Sequence, residues 1–294
     1  MPLYGSFVPS LPLTSSLALF TPQPTDWAFT SRINFAQLTA GGGWAVVTGA
    51  TDGLGLAYAK ELAKRGANVM LVGRHPEKLD MVAREIEAQF RVKADMLVID
   101  FQRCSLEDYL KVKDRLSRLR CDILVNSVGM ASGSTGSFGC QSNTEQMCLD
   151  LLNVNIIPTL MFTNAVLPGM KERKRGVIVN LSSVAAVYPL PNYALYGATK
   201  SFVDFFSSAL DRECRPFSIF VQCVLAGPVL SNMTKSQAKS FFIVQPGPFV
   251  REALSQVGLR RRTFGHWIHA VMVSIAQPFP LWMTLRFLQP KNRS

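Results

Sequence analysis

The sequence predicts an α/β fold: one doubly wound parallel sheet with helices on both faces. Three observations predict it. From Trp44 to Val224, short apolar runs alternate with longer stretches of helical length. The short runs are continuously apolar, as in Val177-Ile178-Val179, which is what a strand covered on both faces requires. Glycine and proline punctuate the junctions, with Gly66 closing one helical stretch and Pro76 opening the next.

Taken in order, Trp44 to Val47 reads as the first strand and Leu54 to Arg65 as the helix after it. Asn68 to Val72 is the second strand, followed by an amphipathic helix over Glu77 to Gln89. Met96 to Ile99 is a strand, Leu106 to Leu119 a basic-faced helix, and Ile123 to Val125 a strand. Met147 to Met170 is long and helical, with a bend expected at Pro158. Val177 to Leu181 and Ile219 to Val224 complete the strand set, with a helix from about Tyr193 to Arg212 between them. After Leu225 the regularity fades. Residues 231–250, rich in Ser, Lys, Gln, Gly and Pro, read as a mobile substrate flap.

The 294 residues suit one large domain, assigned to 43–262, between an N-terminal extension, 1–42, and a C-terminal tail, 263–294. The extension holds five prolines and only two charged residues, Asp26 and Arg32, and is expected to be poorly ordered, without an anchor helix or secretory signal. With 48% hydrophobic and 17% charged residues, the chain has fewer charges than a typical soluble domain, which points to membrane contact or a large apolar pocket. Net charge is +11, and from Arg251 onward there are seven Lys or Arg against one acid, Glu252. The basic residues adjoin apolar, Trp-bearing stretches, which favours a membrane surface or a phosphate-bearing substrate. A solvated basic face explains the charge equally well. No nucleic-acid-binding signature is present, and no nucleic-acid partner is expected. The tail segment 264–288 carries His266, His269, Gln277, two prolines and Arg286, so it is a poor spanning helix and is expected to lie on a membrane, bury against the domain, or both. The six cysteines lack metal-ligand spacing and read as reduced thiols, and no metal is expected.

Directly after the first strand comes Thr48-Gly49-Ala50-Thr51-Asp52-Gly53-Leu54-Gly55, opening a helix. Glycines let a backbone approach a pyrophosphate closely, and the helix N-terminus offers amide donors and a favourable dipole. A glycine turn alone is weak evidence, but between strand and helix it indicates a Rossmann-like dinucleotide site. The second strand ends at Gly73-Arg74. An acid there would accept a ribose 2′-hydroxyl, whereas Arg74 can pair with a 2′-phosphate, which favours NADP(H) over NAD(H).

Further on lies Ser183-x12-Tyr196-x3-Lys200. Tyr196 and Lys200 are one helical turn apart on one face. A nearby ammonium favours the phenolate and is expected to draw the tyrosine pKa down from about 10. Such a phenol can give or take the proton of a carbonyl or alcohol oxygen, and Ser183, at the end of a strand-like run, can hold the same oxygen. Tyr-x-x-x-Lys is common on helix surfaces, so the pair acquires weight only from the glycine turn upstream.

Together these residues resemble the short-chain dehydrogenase/reductase family over Gly43 to about Met233. A closer resemblance is to its membrane-associated 17β-hydroxysteroid dehydrogenase and very-long-chain 3-oxoacyl-CoA reductase subgroup, carried by WAVVTGATDGLGLAYAKELAKRG, DILVNSVGM, VLPGM, YGATKSFVDFFSSAL and Ile268-His269-Ala270. The resemblance implies catalytic roles for Asn155, Ser183, Tyr196 and Lys200. It implies NADP(H) contacts from Gly49, Thr51, Asp52, Gly53, Leu54 and Gly55 in the turn, Arg74 and Asp100 at the adenosine end, and Asn126 after the fourth strand. Tyr196, Lys200, Gly227, Val229 and Ser231 are the expected contacts near the nicotinamide. It also implies reduction of a lipid-like ketone, a 17-ketosteroid or a 3-oxoacyl-CoA. An endoplasmic-reticulum membrane location facing the cytosol, and a homodimer formed through two long helices, follow from the same resemblance. The sequence departs from the family at Ser127, in place of a second asparagine, and at Ala226, where many members have proline. The alternative is a nucleotide-binding pseudoenzyme or scaffold of the same fold, whose expected mark is a lost catalytic residue; all four positions are filled. A basic membrane or nucleic-acid adaptor is a third class, one that a cofactor would not stabilise.

Overall fold

The computed structural model describes residues 31–131, 144–231 and 243–276. Among them, seven parallel strands form one sheet: β1 (Trp44–Thr48), β2 (Asn68–Gly73), β3 (Ala94–Val98), β4 (Cys121–Asn126), β5 (Gly176–Ser183), β6 (Ile219–Ala226) and β7 (Arg262–Thr263). The order across the sheet is β3-β2-β1-β4-β5-β6-β7. β1 pairs with β2 on one side and β4 on the other, so the winding reverses between β1 and β4. Ligands of open parallel sheets bind at such a reversal, beyond the carboxyl ends of the strands.

β1, β2, β4, β5 and β6 are buried almost throughout because alternate residues feed two cores, whereas the edge strand β3 is largely half-buried. Val47, Leu71, Val125 and Val179 point into one core with Tyr58 and Leu62 of α2 (Gly53–Lys64) and Leu79 and Ile86 of α3 (Pro76–Phe90). Val46, Met70, Leu124 and Ile178 point into the other. There they meet Val112 and Leu116 of α4 (Leu106–Ser117), Phe162 and Met170 of α6 (Ile157–Arg173), and Leu210 of α7 (Ala194–Cys214). Helix starts follow local chemistry. Pro76 occupies the first turn of α3, and Ser105 with Asp108 forms a reciprocal cap at the start of α4.

The expected bend in the long helical stretch is a break. α5 (Thr144–Asn155) ends one residue before α6, and Pro158 sits in the first turn of α6, where its missing N–H costs nothing. The run Glu145–Arg173 is long and apolar enough to cross a membrane, and about half of its apolar 18-residue window is buried inside the protein, as the core helix of a soluble protein would be.

Three regions differ from the sequence reading. Residues 35–39, placed in the extension, form α1 (Phe35–Thr39), with Phe35 buried in the first core beneath the Arg65 guanidinium. Phe35 thus lies in the compact unit that begins at Arg32. The C-terminal part of the expected flap is helix α8 (Pro246–Ser255), because Phe249, Val250, Ala253 and Leu254 share one face and complete the first core. Residues 263–276, assigned to a tail, include part of β7 and helix α9 (Trp267–Ala276), which buries His269 and Val273. Flap residues 232–242, the loop 132–143 with Cys140, and residues 277–294 lie outside the described residues. The other five cysteines are free thiols.

Candidate active site

A cavity of about 370 Å³ opens at the winding reversal. One wall is the glycine turn: Gly49 and Gly53 have φ of +69° and +53°, left-handed values that favour glycine. A Cβ on Gly55 would lie 2.1 Å from the Gly49 carbonyl oxygen, and one on Gly49 would lie 3.0 Å from Val128 Cα. The turn is thus pressed between the first turn of α2 and the β4 loop, and only glycine allows both approaches. The N-terminus of α2 faces the cavity with Asp52, Gly53, Leu54 and Gly55. Amide donors, the helix dipole and a side-chain-free cradle fit the pyrophosphate of a dinucleotide.

The opposite wall carries the residues expected to do acid–base work. Ser183, Tyr196 and Lys200 line the same cavity, as do Gly227, Val229 and Ser231. Ser183 ends β5, its Oγ accepting the Ala185 N–H at 3.2 Å. Tyr196 and Lys200 lie in the first turns of α7, and Lys200 Nζ sits 5.9 Å from the Tyr196 ring centre. Lys200 is buried, and Nζ donates to the Leu181 carbonyl at 3.0 Å. Burial lowers its pKa to about 8. Burial also raises Tyr196 above its ordinary value, opposed by a hydrogen bond with Ser183. The expected depression of Tyr196 by Lys200 is therefore absent from this geometry. Burial disfavours the charged form of both groups, lowering the amine and raising the phenol, and this outweighs the attraction that helical spacing suggests.

Asn155 ends α5 and is buried. Its Oδ1 accepts the Met130 N–H at 2.8 Å, and its Nδ2 donates to the Met130 carbonyl at 3.0 Å and to Thr199 Oγ1 at 3.0 Å. Thr199 Oγ1 in turn donates to the Tyr196 carbonyl at 2.7 Å. Asn155 thus ties the β4 loop to the first turns of α7. A Cβ on Gly129 would lie 3.2 Å from Lys200 Nζ and 3.5 Å from Asn155 Oδ1, so this loop, asparagine and lysine meet in one place.

Four predicted contacts lie outside the cavity lining. Asn126 is buried, and its Nδ2 donates to Asn180 Oδ1 at 2.8 Å and Thr163 Oγ1 at 3.3 Å. Its side chain joins strands beneath the floor. Thr51 packs on Gly73, where a Cβ would lie 3.4 Å away. Arg74 is exposed at the end of β2 and donates to His75 Nε2 at 3.2 Å and Gln102 Oε1 at 3.3 Å. Asp100 accepts from the Gln102 N–H at 3.2 Å and borders a separate groove beside α4. Sequence reasoning missed three supporting residues. Thr48 Oγ1 accepts the Ser127 and Val128 N–H groups at 3.0 and 3.1 Å, Thr199 links Asn155 to Tyr196, and Ser182 Oγ donates to the Lys200 carbonyl at 2.7 Å. Each is a hydroxyl beside a recognised residue, and spacing alone gives no sign of what it bonds.

A doubly wound parallel sheet, a glycine cradle at its winding reversal, and a Ser–Tyr–Lys wall facing that cradle and backed by Asn155 define a nicotinamide-dependent oxidoreductase. A family model described as short chain dehydrogenase matches residues 43–240. The chain is 41% identical over 253 residues to the human very-long-chain 3-oxoacyl-CoA reductase, covering 86% of this chain and 80% of that protein. It is 40% identical over 252 residues to the chicken hydroxysteroid dehydrogenase-like protein 1, covering 84% and 75%. Among solved structures, a short-chain dehydrogenase from Sphingobium yanoikuyae in complex with NADPH superimposes with a TM-score of 0.69 at 28% identity, covering 86% of this chain and 99% of that one. The chain belongs to the short-chain dehydrogenase/reductase family.

Proposed function

We propose that this protein is an NADP(H)-dependent reductase that converts the ketone of a lipid-like substrate, foremost a 3-oxoacyl-CoA, to an alcohol, with Tyr196 as the general acid. The observation that carries the reading is the convergence of Ser183, Tyr196 and Lys200 on one cavity with the Gly49–Gly55 cradle. Arg74, at the end of β2, suits the 2′-phosphate that distinguishes NADP(H), and a related structure holds NADPH. The substrate class follows the relatives' names and the apolar lining from Val128, Met130, Leu181, Ala226 and Val229.

The glycine cradle and the N-terminus of α2 would hold the cofactor's pyrophosphate, and Lys200 its nicotinamide ribose. When bound, the reduced nicotinamide supplies hydride to the carbonyl carbon. Ser183 Oγ–H and Tyr196 Oη–H hold the carbonyl oxygen, and Tyr196 gives it a proton as negative charge develops there. A phenol held above its ordinary pKa enters this step protonated, as an acid must. Lys200, with a pKa near 8, can return a proton to the phenolate, and Asn155 holds the loop and α7 so that the relay stays aligned.

The resemblance to that subgroup also supports, as part of this proposal, a location on the cytosolic face of the endoplasmic-reticulum membrane. Trp267, Val271 and Ile275 recur every four residues on the exposed side of α9, a stripe suited to a lipid surface. Exposed Leu149 and Leu152 on α5 and Phe202 and Phe205 on α7 support a homodimer through these two helices. The decisive assay is NADPH consumption against a panel of 3-oxoacyl-CoAs, 17-ketosteroids and simple ketones. Turnover greatest with a 3-oxoacyl-CoA is expected; no consumption with any carbonyl refutes the reading.

A further inference from the structure

His269 is fully buried, yet it lies more than 60 residues beyond the acid–base wall and has no part in the chemistry above. Its ring lies against the strip that leaves β6. Nδ1 accepts the Gly227 N–H at 3.1 Å, and Nε2 lies 3.2 Å from the Pro228 carbonyl oxygen. Accepting at one nitrogen requires the proton at the other, so the ring is neutral with the proton on Nε2, donating to Pro228. A Cβ on Gly227 would lie 2.7 Å from the ring, so the absence of a side chain there makes room for it. Gly227 and Val229 line the cavity.

The surrounding structure is arranged to deliver this ring. β7 pairs with β6 at Cys223 and Val224, only three residues before Gly227. Gly265, with φ of +75°, turns the chain from β7 into α9, and a Cβ there would lie 2.2 Å from the Phe249 ring. Phe249 in turn packs on His269, ring centres 5.6 Å apart. One turn further along, α9 accepts the Tyr188 hydroxyl at the Val273 carbonyl, 3.3 Å. Tyr188 belongs to the loop between Ser183 and α7. The helix therefore bonds both to the strip that leaves β6 and to the loop that follows Ser183 at the end of β5.

We infer that His269 is a positioning residue: it clamps the Gly227–Val229 strip in the conformation that receives the nicotinamide end of the cofactor, with α9 as the strut between this strip and the loop after Ser183. The cofactor half of this inference rests on the proposed NADP(H) dependence; the clamp itself does not. An imidazole holds two backbone groups of consecutive residues with no water needed, which few side chains can do from one position. A buried N–H deprived of its acceptor costs enough to change an affinity by about tenfold or more.

The test uses the full chain with His269→Ala and His269→Asn, folding being checked by circular dichroism. Asparagine can still offer an acceptor to the Gly227 N–H. Hydrogen exchange over residues 226–229 is read without nucleotide, and NADPH affinity is read by fluorescence. Expected are faster exchange and about tenfold weaker NADPH binding in His269→Ala, a smaller effect in His269→Asn, and partial recovery of both readouts in His269→Ala on adding imidazole. Unchanged exchange, or faster exchange with unchanged NADPH affinity, in either folded variant overturns the inference. If the unaltered chain fails to bind NADPH, the cofactor reading falls, while the exchange measurement still decides whether His269 is a clamp. Should His269→Ala not fold, the His269→Asn comparison carries both readouts.

Discussion

Lys200→Met should make the nucleotide-free protein more stable while destroying its activity. Lys200 is 5% exposed, and burial holds its pKa at about 8 against an ordinary 10.5. The folded state therefore binds this proton less tightly than the unfolded chain. Below pH 8 both states are protonated and folding carries the whole penalty of burying the charge. Above pH 10.5 both are neutral and the penalty vanishes. At about 1.4 kcal/mol for each tenfold difference in proton affinity, the penalty at pH 7 is about 3 kcal/mol. Methionine removes the charge and fills similar volume, but leaves the Leu181 carbonyl without its Nζ donor, at a cost of about 1 kcal/mol. The net expectation is a gain of about 2 kcal/mol at pH 7, shrinking as pH rises from 8 to 10.5. Urea unfolding of both proteins across that range measures it. A variant less stable than the parent at pH 7, or a difference that does not shrink with rising pH, refutes the claim that Lys200 is held at the expense of stability.

Tyr196→Phe should reduce turnover by at least about a hundredfold while NADPH affinity stays within twofold, because in the proposed mechanism the hydroxyl is the acid and does not build the cradle; steady-state kinetics with fluorescence titration separates the two. Arg74→Glu should weaken NADPH binding by about tenfold or more while sparing NADH, and equal losses for both nucleotides would remove Arg74 from the 2′-phosphate. Gly55→Ala should cost about 1–3 kcal/mol or more, read from the denaturant midpoint, because the atom its Cβ meets is the Gly49 backbone oxygen and cannot swing away. Phe205→Asp, at a side chain 80% exposed on α7, should convert a dimer to a monomer in sedimentation without loss of fold; a parent protein that is already monomeric refutes the α5–α7 interface.

Six of the seven strands were legible because each carries a continuous apolar run, if only Met96-Leu97-Val98 in β3, and five of them are buried on both faces. β7 was not, since Arg262-Thr263 is two residues long and polar. It becomes a strand because β6 offers an open edge, a tertiary cause that no local pattern carries. α8 was hidden for a related reason. Pro246, Gly247 and Pro248 imitate a loop, although all three sit in the first helical turn, and the periodic apolar face begins only at Phe249. α1 shows the opposite limit: five residues have too little propensity to be seen alone, and Phe35 is ordered by the core it enters.

In the site, spacing located Tyr196 and Lys200 on one face but misjudged the direction of their influence. Helical spacing reports proximity, whereas a pKa depends on what surrounds the pair, and here burial acts on both groups in the sense that disfavours charge. The result alters the division of labour. A phenol raised above its ordinary value is a secure proton donor but a reluctant phenolate, and an amine near 8 changes protonation within the range where enzymes work. Lys200, rather than Tyr196, is then the group whose titration should appear in a pH–rate profile of the reduction, with activity falling as pH rises through about 8. Reduction needs the lysine protonated to restore the phenol, so the loss must lie on the alkaline side. A pH profile of kcat at saturating NADPH that stays flat through this range would separate Lys200 from the proton relay and leave it only the ribose to hold.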